Sequence, residues 1–509
     1  PLPENMLELS TEELTNLLTK ASKGRFGIEK AQIRRQRFLD ELSIPYRYIA
    51  LKHNPNVNQL QDYKENGYDI NNVQLMLQVF TDLPFDDYSY DKKKFLEELP
   101  ASPLSIEENE ETNELIVTME SGDIYRCLLF GDRKRIFLVK HYEKNSLKEV
   151  DYYSTQKYLS IIYKDIEQDG VHFLENSEYN YYNSKGEIVL KKIIDTYTSE
   201  KYVYNGKTFD LSQLLEIYFQ KQGIINKDVI VFERIEPKLY PFILNHQTAR
   251  IAYYLHETIE NYDGEVFGFI ADNLSLIGRG IDFVLSTEIG QPDKVRNYVH
   301  QHFNQKARVY FVPVMHVEEH AIRKIRKRNS FLSVSNLVPG KGIKAAIEAV
   351  VRARKIISDI SYDIYGDGIL YHELQELIDQ HEANDYIQLK GFHKNIMTKY
   401  SDYEAYLASS YSEAFATTLV EAMNQGVALI ARGNVAIHQA YVDENKNGYL
   451  INNKDYVNGL AEKIVRYCRL LEKDSFAQAA YDKSLELFSY KMVQNAWKKV
   501  IVQEQIESI

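Results

Sequence analysis

The chain has 509 residues, of which 44% are apolar and 26% are charged, and its net charge is −12. At roughly 150 residues per domain this length predicts about three domains, each large enough to bury its own core. The acidic balance argues against a nucleic-acid partner, because neutralising phosphates requires a basic surface. No run approaches 18 apolar residues, so no membrane span is predicted.

Cysteine usage and targeting signals narrow the class further. The two cysteines, Cys127 and Cys468, lie far apart in sequence, so neither a disulfide scaffold nor a cysteine-based zinc site is expected. The N-terminus lacks the basic-then-apolar pattern of a signal peptide, which predicts a cytoplasmic location. The basic run Arg323–Arg328 predicts peripheral contact with the inner face of a membrane, an anionic polymer or a partner. A solvated basic face is the ordinary alternative.

The first 90 residues predict an α/β arrangement. Apolar positions recur at helical spacing over 11–20 and again over 28–39. A glycine-containing loop, Ser22–Gly27, separates these two predicted helices, and Pro45–Leu51 is typical of a strand.

Residues 95–210 predict an inserted antiparallel β-sheet unit. Short β-type runs at Leu115–Met119, Ile124–Phe130 and Ile136–Lys140 are separated by Ser-Gly-Asp and Gly-Asp turns. Many of the 39 tyrosines fall here, and tyrosine is favoured in strands.

From residue 211 onward, strands and helices alternate, which predicts parallel sheets covered on both faces. Strands are expected at 228–232, 252–255, 283–286 and 309–313, and a second alternation begins at Phe331. Two α/β units in one chain predict a ligand cleft between them. The predicted domains are an N-terminal Rossmann-like domain (1–94 and 211–315), the β-rich insertion (95–210), a C-terminal Rossmann-like domain (316–480) and a C-terminal helix that crosses back (481–509).

Three short motifs in the C-terminal half could carry chemistry. Gly366 and Gly368 form a tight turn after a strand, where glycine lets the backbone approach a ligand. Glu413 lies in a loop after a predicted strand, and Glu421 follows eight residues later in a predicted helix, whose N-terminus favours phosphate. Thr418-x-x-Glu421 equally fits a capping box. Lys341 opens a helix and could neutralise a leaving phosphate, or it could be a solvated turn lysine.

These motifs together resemble the donor domain of retaining glycosyltransferases of the GT-B fold, family four in particular. The stretch with this resemblance, 329–451, includes Tyr365-Gly-Asp-Gly, Ile387–Phe392, the Glu413/Glu421 pair and Asn445–Ile451. A narrower resemblance is to the GtfA-like protein O-GlcNAc transferases of accessory Sec systems and to TarM-like and TagE-like teichoic-acid glycosyltransferases. It rests on Asp385–Gly391, the tyrosine-rich insertion, Gly27–Gln32 and the helical tail around Trp497.

The resemblance implies a role for each matched residue. Glu413 would contact the donor sugar, Lys341 would hold the diphosphate, and Glu421 would bind the ribose. His256 would face the sugar and the acceptor, or it is an ordinary strand-end histidine. Nucleotide contacts are also implied, at the base, the phosphates or the adjoining loops, for Gly27, Arg25, Asn336, Gly366, Gly368, Lys390, Gly391, Phe392, Thr417, Thr418 and Leu419.

Several residues depart from the family pattern. Asn336 stands where the family usually has arginine, so one of two cations on the diphosphate is missing. Ala414 and Ala416 replace the glycines of the usual Glu-Gly-Phe-Gly. Arg25 stands where small residues are usual, and it either supplies the missing charge or plugs the site.

Two functions therefore remain open. The first is an enzyme that moves GlcNAc or glucose from a UDP-sugar, with retention and without a metal or other cofactor, to Ser/Thr of a cell-surface protein or to wall teichoic acid. The second is a catalytically degenerate GT-B subunit that binds the acceptor or partners an active glycosyltransferase. A second glycosyltransferase subunit or a homo-oligomer is the expected protein partner, and the β insertion would bind the acceptor or that partner.

Overall fold

The structure is a computed structural model that describes residues 6–10, 27–168, 171–196, 199–224, 228–246, 249–260, 265–322 and 326–506. The predicted helix over 11–20 lies outside these residues. The helices of the described residues are α1 (Gly27–Glu41), α2 (Gln59–Glu65), α3 (Lys92–Glu97), α4 (Leu211–Lys221), α5 (Tyr240–Asn245), α6 (Gly268–Leu274), α7 (Gln291–Phe303), α8 (Ile343–Arg354), α9 (Tyr371–Gln380), α10 (Met397–Tyr400), α11 (Thr417–Asn424), α12 (Ala436–Tyr441), α13 (Tyr456–Cys468), α14 (Lys473–Phe488) and α15 (Tyr490–Ile506).

The strands fall close to the positions that the apolar runs predict. They are β1 (Met6–Ser10), β2 (Tyr46–Ala50), β3 (Val73–Leu75), β4 (Pro103–Asn109), β5 (Glu114–Met119), β6 (Ile124–Leu129), β7 (Ile136–Glu143), β8 (Ser146–Tyr153), β9 (Lys157–Gln168), β10 (Val171–Tyr182), β11 (Ile188–Thr196), β12 (Ser199–Tyr204), β13 (Lys207–Phe209), β14 (Val229–Phe232), β15 (Arg250–Leu255), β16 (Phe283–Ser286), β17 (Val309–Phe311), β18 (Ser330–Val334), β19 (Ser361–Tyr365), β20 (Ile387–Gly391), β21 (Ala405–Ala408), β22 (Ala428–Arg432) and β23 (Gly448–Ile451).

The chain forms two compact units. We call them the N-terminal unit, which holds β1 and Tyr46–Arg250, and the C-terminal unit, which holds α1 and the chain from Ile251 onward. The predicted domain boundaries at 94/95, 210/211, 315/316 and 480/481 stay predictions.

The N-terminal unit confirms the predicted antiparallel insertion. Strands β4 to β13 form a ten-stranded sheet in which each strand pairs with its neighbour in sequence. One face buries Leu115, Val117 and Cys127 against Phe95 of α3. Tyrosines such as Tyr158 and Tyr181 are buried on the sheet as well, which explains the local enrichment in this residue. In the same unit, β14, β1, β2 and β3 form a parallel arrangement.

The C-terminal unit contains a six-stranded parallel sheet in the order β20-β19-β18-β21-β22-β23. The chain leaves β18 in one direction to build β19 and β20, and then returns to build β21 on the other side. The strand order therefore reverses between β18 and β21, and in such sheets ligands bind in the crevice outside the carboxyl ends of the strands at this point. Helices α8, α9 and α13 bury apolar residues such as Ile347, Leu374 and Ile464 against the sheet.

Strands β15, β16 and β17 form a second parallel group within the C-terminal unit. The C-terminal helix α15 packs on this group: Trp497 is buried, and its ring meets Tyr254 of β15 edge-on at 6.1 Å. Glu504 of α15 accepts a hydrogen bond from Tyr310 of β17 at 2.5 Å and pairs with Arg308 at 3.1 Å. The contacts of Trp497 and Glu504 explain why α15 belongs to this unit.

Neither cysteine is bonded to the other. Cys127 and Cys468 are both free and buried, one in each unit. Among the described residues, no helix is both long enough and apolar enough to cross a membrane.

Candidate functional site

Two of the predicted catalytic residues meet at the crevice between the β18 and β21 loops. The ammonium of Lys341 donates to Glu413 Oε1 at 2.6 Å, and Ser410 Oγ donates to the same oxygen at 2.8 Å. The side chains of Lys341 and Glu413 keep 26% and 19% of their surface exposed. The pair is therefore sheltered but reachable, as a site for a charged ligand must be.

The backbone around Lys341 explains why the lysine is held there. Gly342 follows it with a φ of +64°, a left-handed conformation that glycine adopts without strain. A Cβ on Gly342 would collide with the carbonyl oxygen of Ser409. Ser409 Oγ in turn donates to the carbonyl of Lys341 at 2.8 Å. The loops after β18 and β21 are thus fastened to each other at this point.

Glu421 lies on α11 and is 3% exposed. Tyr400 donates to its Oε2 at 3.1 Å, and a guanidinium nitrogen of Arg34 on α1 lies 3.6 Å from its Oε1. Its carboxylate is therefore buried with two donor side chains. The capping-box interpretation of Thr418 and Glu421 is wrong, because α11 begins at Thr417 and its N-cap is Ala416, with no side-chain capping bond.

The N-terminus of α11 presents backbone to the same crevice. Ala416 has a φ of +52°, so it takes the left-handed conformation although it is not glycine. Thr417 and Thr418 are the first two helical residues, and such N–H groups have no partner inside a helix. Leu419 differs from them, because its side chain is buried and its N–H already donates to Ala416 at 2.9 Å.

The Gly366–Gly368 turn is pressed against backbone of the neighbouring loop. A Cβ on Gly366 would collide with the carbonyl oxygen of Ser335, and one on Gly368 would come within 2.5 Å of the carbonyl oxygen of Leu337. Leu337 N–H donates to the Asp367 carbonyl at 2.9 Å. The glycines therefore permit a close approach of two loops; an approach to a ligand, as predicted, stays a prediction.

Lys390, Gly391 and Phe392 end β20 at the same edge of the sheet. Lys390 is exposed, hydrogen-bonds Gln388 and lies 3.7 Å from Asp363 Oδ2. Gly391 has a φ of +66°, and Phe392 leaves 47% of its surface exposed. An exposed aromatic ring beside a lysine suits stacking on a nucleobase.

Three of the remaining predicted residues lie within the described ranges. His256 directly follows β15, and its ring packs against Tyr254 at 4.4 Å. Asn336 is exposed in the loop after β18. Gly27 is the first residue of α1, and Arg25 lies outside the described residues.

Sequence reasoning missed several residues of this region. Arg34 and Tyr400 contact Glu421, and the charges of Glu413 and Arg432 both act on His438. A signal existed for Arg34, since α1 carries three arginines within four residues on an otherwise amphipathic helix. No local signal marked the others.

The basic run is only partly available to a ligand. Arg326 donates to the carbonyls of Tyr403 at 2.8 Å and Gln425 at 2.6 Å, so it fastens two loops. Lys327 is exposed, and Arg328 is 79% exposed and lies 3.6 Å from Asp359. The rest of the run, 323–325, lies outside the described residues.

Comparison with known proteins gives a consistent picture. Residues 317–482 match the family described as "Glycosyl transferases group 1". The UDP-N-acetylglucosamine–peptide N-acetylglucosaminyltransferase GtfA subunit of Streptococcus agalactiae is 27% identical, over 84% of this chain and 84% of that protein. A poly(ribitol-phosphate) alpha-N-acetylglucosaminyltransferase of Staphylococcus aureus is 25% identical, over 32% of this chain and 33% of that protein.

Solved structures resemble the chain over nearly its full length. The pneumococcal O-GlcNAc transferase GtfA, in complex with UDP and GlcNAc, has a TM-score of 0.79 at 23% identity, with 98% of both chains covered. A GtfA/B complex has a TM-score of 0.83 at 21% identity, over 98% of this chain and 99% of the other. A TarM mutant of S. aureus has a TM-score of 0.76 at 16% identity, over 98% and 99%. These likenesses confirm the predicted GT-B fold.

The comparisons thus support a glycosyltransferase. They confirm the resemblance predicted from the sequence: the chain carries a glycosyl transferases group 1 domain and is similar to GtfA-like and TarM-like glycosyltransferases.

Proposed function

We propose that this chain is a retaining glycosyltransferase that moves GlcNAc from UDP-GlcNAc to Ser or Thr of a protein. The observation that carries the proposal is the Lys341–Glu413 pair at the crevice between β18 and β21. A cation and a carboxylate side by side suit a donor that is anionic at its diphosphate and rich in hydroxyl groups at its sugar.

The extent of the similarities favours GlcNAc and a protein acceptor. Five protein O-GlcNAc transferase subunits are similar to this chain over 84% to 95% of its length. The teichoic-acid enzyme is similar in sequence over only 32% of the chain. Acceptor recognition needs more than the donor domain, so the full-length similarity supports the protein acceptor.

Different residues of the crevice would bind different parts of the UDP-sugar. The Lys341 ammonium would stabilise the negative charge that develops on the leaving diphosphate, and the N–H groups of Thr417 and Thr418 would add the positive end of α11. Glu413 would accept hydrogen bonds from sugar hydroxyls. Glu421 would accept from the ribose, since a carboxylate has lone pairs beyond those used by two donors. We assign no general base.

We propose further that transfer needs no metal ion, because Lys341 and the helix N-terminus supply the positive charge. Transfer measured with EDTA should then equal transfer with added Mg²⁺ or Mn²⁺. A strict requirement for either ion would contradict this part of the proposal.

Radiolabelled UDP-GlcNAc incubated with a Ser/Thr-rich polypeptide tests the function directly. We expect label on the polypeptide, less label from UDP-glucose, and none on poly(ribitol phosphate). Lys341→Met should abolish transfer, whereas Lys344→Met should not, because Lys344 is an exposed lysine of α8 that pairs with Glu373. If calorimetry detects no binding of UDP or UDP-GlcNAc, the proposal is wrong.

A second candidate is a non-catalytic subunit, and Asn336 is the observation that favours it. The exposed amide leaves the loop after β18 without the arginine that the family usually has there. This alternative predicts binding of the polypeptide without transfer, and transfer only when a second, active glycosyltransferase is added. The GtfA/B complex among the similar structures supports pairing with such a second subunit in either case.

A further inference from the structure

Arg432 is an unusual arginine at the end of β22. It is the last residue of the strand and only 9% exposed. Its Nε donates to the carbonyl of Ser409 at 3.1 Å, and its guanidinium carbon lies 4.2 Å from the ring centre of Tyr411 and 3.6 Å from that of Tyr456. Within the described ranges, no carboxylate oxygen lies within 4.0 Å of the guanidinium, and the Ser409 carbonyl is the one hydrogen-bond partner of this side chain.

The surroundings of this guanidinium do not fully offset the free energy that burying its charge costs. Burying an ion is unfavourable unless it is paired, and stacking on aromatic rings offsets only part of that cost. The terminal nitrogens are not among the sealed polar atoms of the structure, so they keep access to the outside. An arginine that is held rigidly, charged and reachable at its tip is suited to bind an anion.

The neighbours of Arg432 indicate which anion it could bind. Ser409, which accepts from Arg432, donates through its hydroxyl to the carbonyl of Lys341. Ser409 therefore connects Arg432 to Lys341 through two hydrogen bonds. Helix α8 begins just after Lys341, and helix α13 begins at Tyr456, whose ring stacks on the guanidinium. Two helix N-termini thus add positive potential beside Arg432.

His438 lies close to Arg432 and to the Lys341–Glu413 pair. It is fully buried, and its Nδ1 lies 3.0 Å from the carbonyl of Arg432. Burial lowers the pKa of this imidazole to about 4, and the charges of Glu413, Arg432 and Lys341 all act on it. Its Nε2 is sealed from solvent without a hydrogen-bond partner among the described residues. The cluster around His438 therefore contains two cations and one carboxylate.

We propose that Arg432 binds the diphosphate of the UDP-sugar as a second cation beside Lys341. This inference rests on the proposed function, because it requires a UDP-sugar in the crevice. It explains how a chain with Asn336 after β18 can still neutralise two phosphates: the guanidinium comes from the end of β22 instead.

Calorimetric titration with UDP, UMP and uridine tests the proposal, because the three ligands differ only in phosphate number. Arg432→Met should weaken UDP binding by about 10-fold or more, the size expected for the loss of one charged hydrogen-bonding group, weaken UMP binding less, and leave uridine within about 2-fold. Arg352→Met is the matched control, since Arg352 is an exposed arginine of α8, and it should change none of the three affinities.

A rescue experiment separates a phosphate contact from a structural role. Adding Asn336→Arg to Arg432→Met should recover most of the lost UDP affinity, because it returns a guanidinium to the loop after β18. Arg432→Gln keeps a donor for Ser409 and serves if the Met variant does not fold. Equal losses for UDP and uridine, or unchanged UDP binding in a folded variant, would overturn the role of Arg432. Absence of UDP binding in the unaltered protein would instead overturn the proposed function.

Discussion

Arg34 of α1 and Glu421 of α11 form an ion pair, with 3.6 Å between a guanidinium nitrogen and Oε1. The arginine side chain is 28% exposed and the glutamate 4%, so the carboxylate is the more sheltered partner. The pair links α1 to the carboxylate that the family resemblance assigns to ribose. Orientation of Glu421 therefore depends on a residue that is remote in sequence.

Arg34→Met should weaken UDP binding by several-fold, because Tyr400 alone then orients the Glu421 carboxylate. Exposure of Arg34 limits the contribution of the pair to stability to about 1 kcal/mol. A double-mutant cycle of Arg34→Met with Glu421→Gln, followed by calorimetry with UDP, measures the coupling. Strictly additive losses would show that Arg34 does not act through Glu421.

Glu413→Gln should lower the rate of transfer by about 10²-fold or more, since it removes the charge that holds both Lys341 and the donor sugar. Binding of UDP without the sugar should change far less, because the phosphate contacts remain. Steady-state kinetics beside calorimetry distinguish the two effects. An equal loss of UDP affinity would instead assign Glu413 to the nucleotide.

Ala416→Gly should stabilise the protein by about 0.5–1 kcal/mol, because Ala416 has a φ of +52° and glycine has no Cβ to strain there. Ala414→Gly is a matched control, because Ala414 is not among the described residues with positive φ, and it should give no such gain. Urea unfolding of both variants measures the difference. A gain for Ala416→Gly alone would show that only one of the two alanines that replace family glycines strains the backbone.

Gly368→Ala should destabilise the C-terminal unit by about 2 kcal/mol or more, because the new Cβ would meet backbone atoms of Leu337. Gly340→Ala, with no atom within 4 Å of its Cβ position, should be nearly neutral. Thermal unfolding of the two variants checks the contrast. Similar stability of both would show that the loop after β18 adjusts freely.

Glu288→Gln should change how stability depends on pH. Burial raises the pKa of Glu288 to about 7, against an ordinary value of 4.5. Because the folded pKa is the higher one, the carboxyl favours folding below pH 4.5, and this contribution is lost as the pH rises towards 7. The Gln variant should therefore gain stability relative to the unaltered protein at pH 8, by about 3 kcal/mol, but not at pH 4.5. Urea unfolding at both values measures the gain, with Asp293→Asn at an exposed aspartate as the control.

Much of the C-terminal unit could be predicted from sequence because its strands are short, apolar and buried on both sides. The predicted strand 283–286 is β16 residue for residue. The sequence also placed Glu413 in a loop after a strand, but it did not predict the contact of Glu413 with Lys341. Short apolar runs, and the alternation of strands and helices, are patterns that can be read from one sequence.

Contacts between remote segments could not be predicted in the same way. Nothing near Glu421 indicates that Arg34 is its partner, and Arg432 ends a strand whose other residues are apolar. The capping box failed for a related reason: Thr418 and Glu421 have the right spacing, but Ala416 sets the start of α11 through its left-handed backbone. The left-handed conformation of Ala416 could not be predicted from residue spacing alone.

The two buried thiols provide a means to follow unfolding one unit at a time. Burial raises the pKa of both Cys127 and Cys468 to about 12, so in the native protein neither forms a thiolate that alkylating reagents could attack. Opening of either unit would expose its own single sulfhydryl. Mass spectrometry of the alkylated peptides, at increasing urea concentrations, would then report whether the two units unfold together or one after the other.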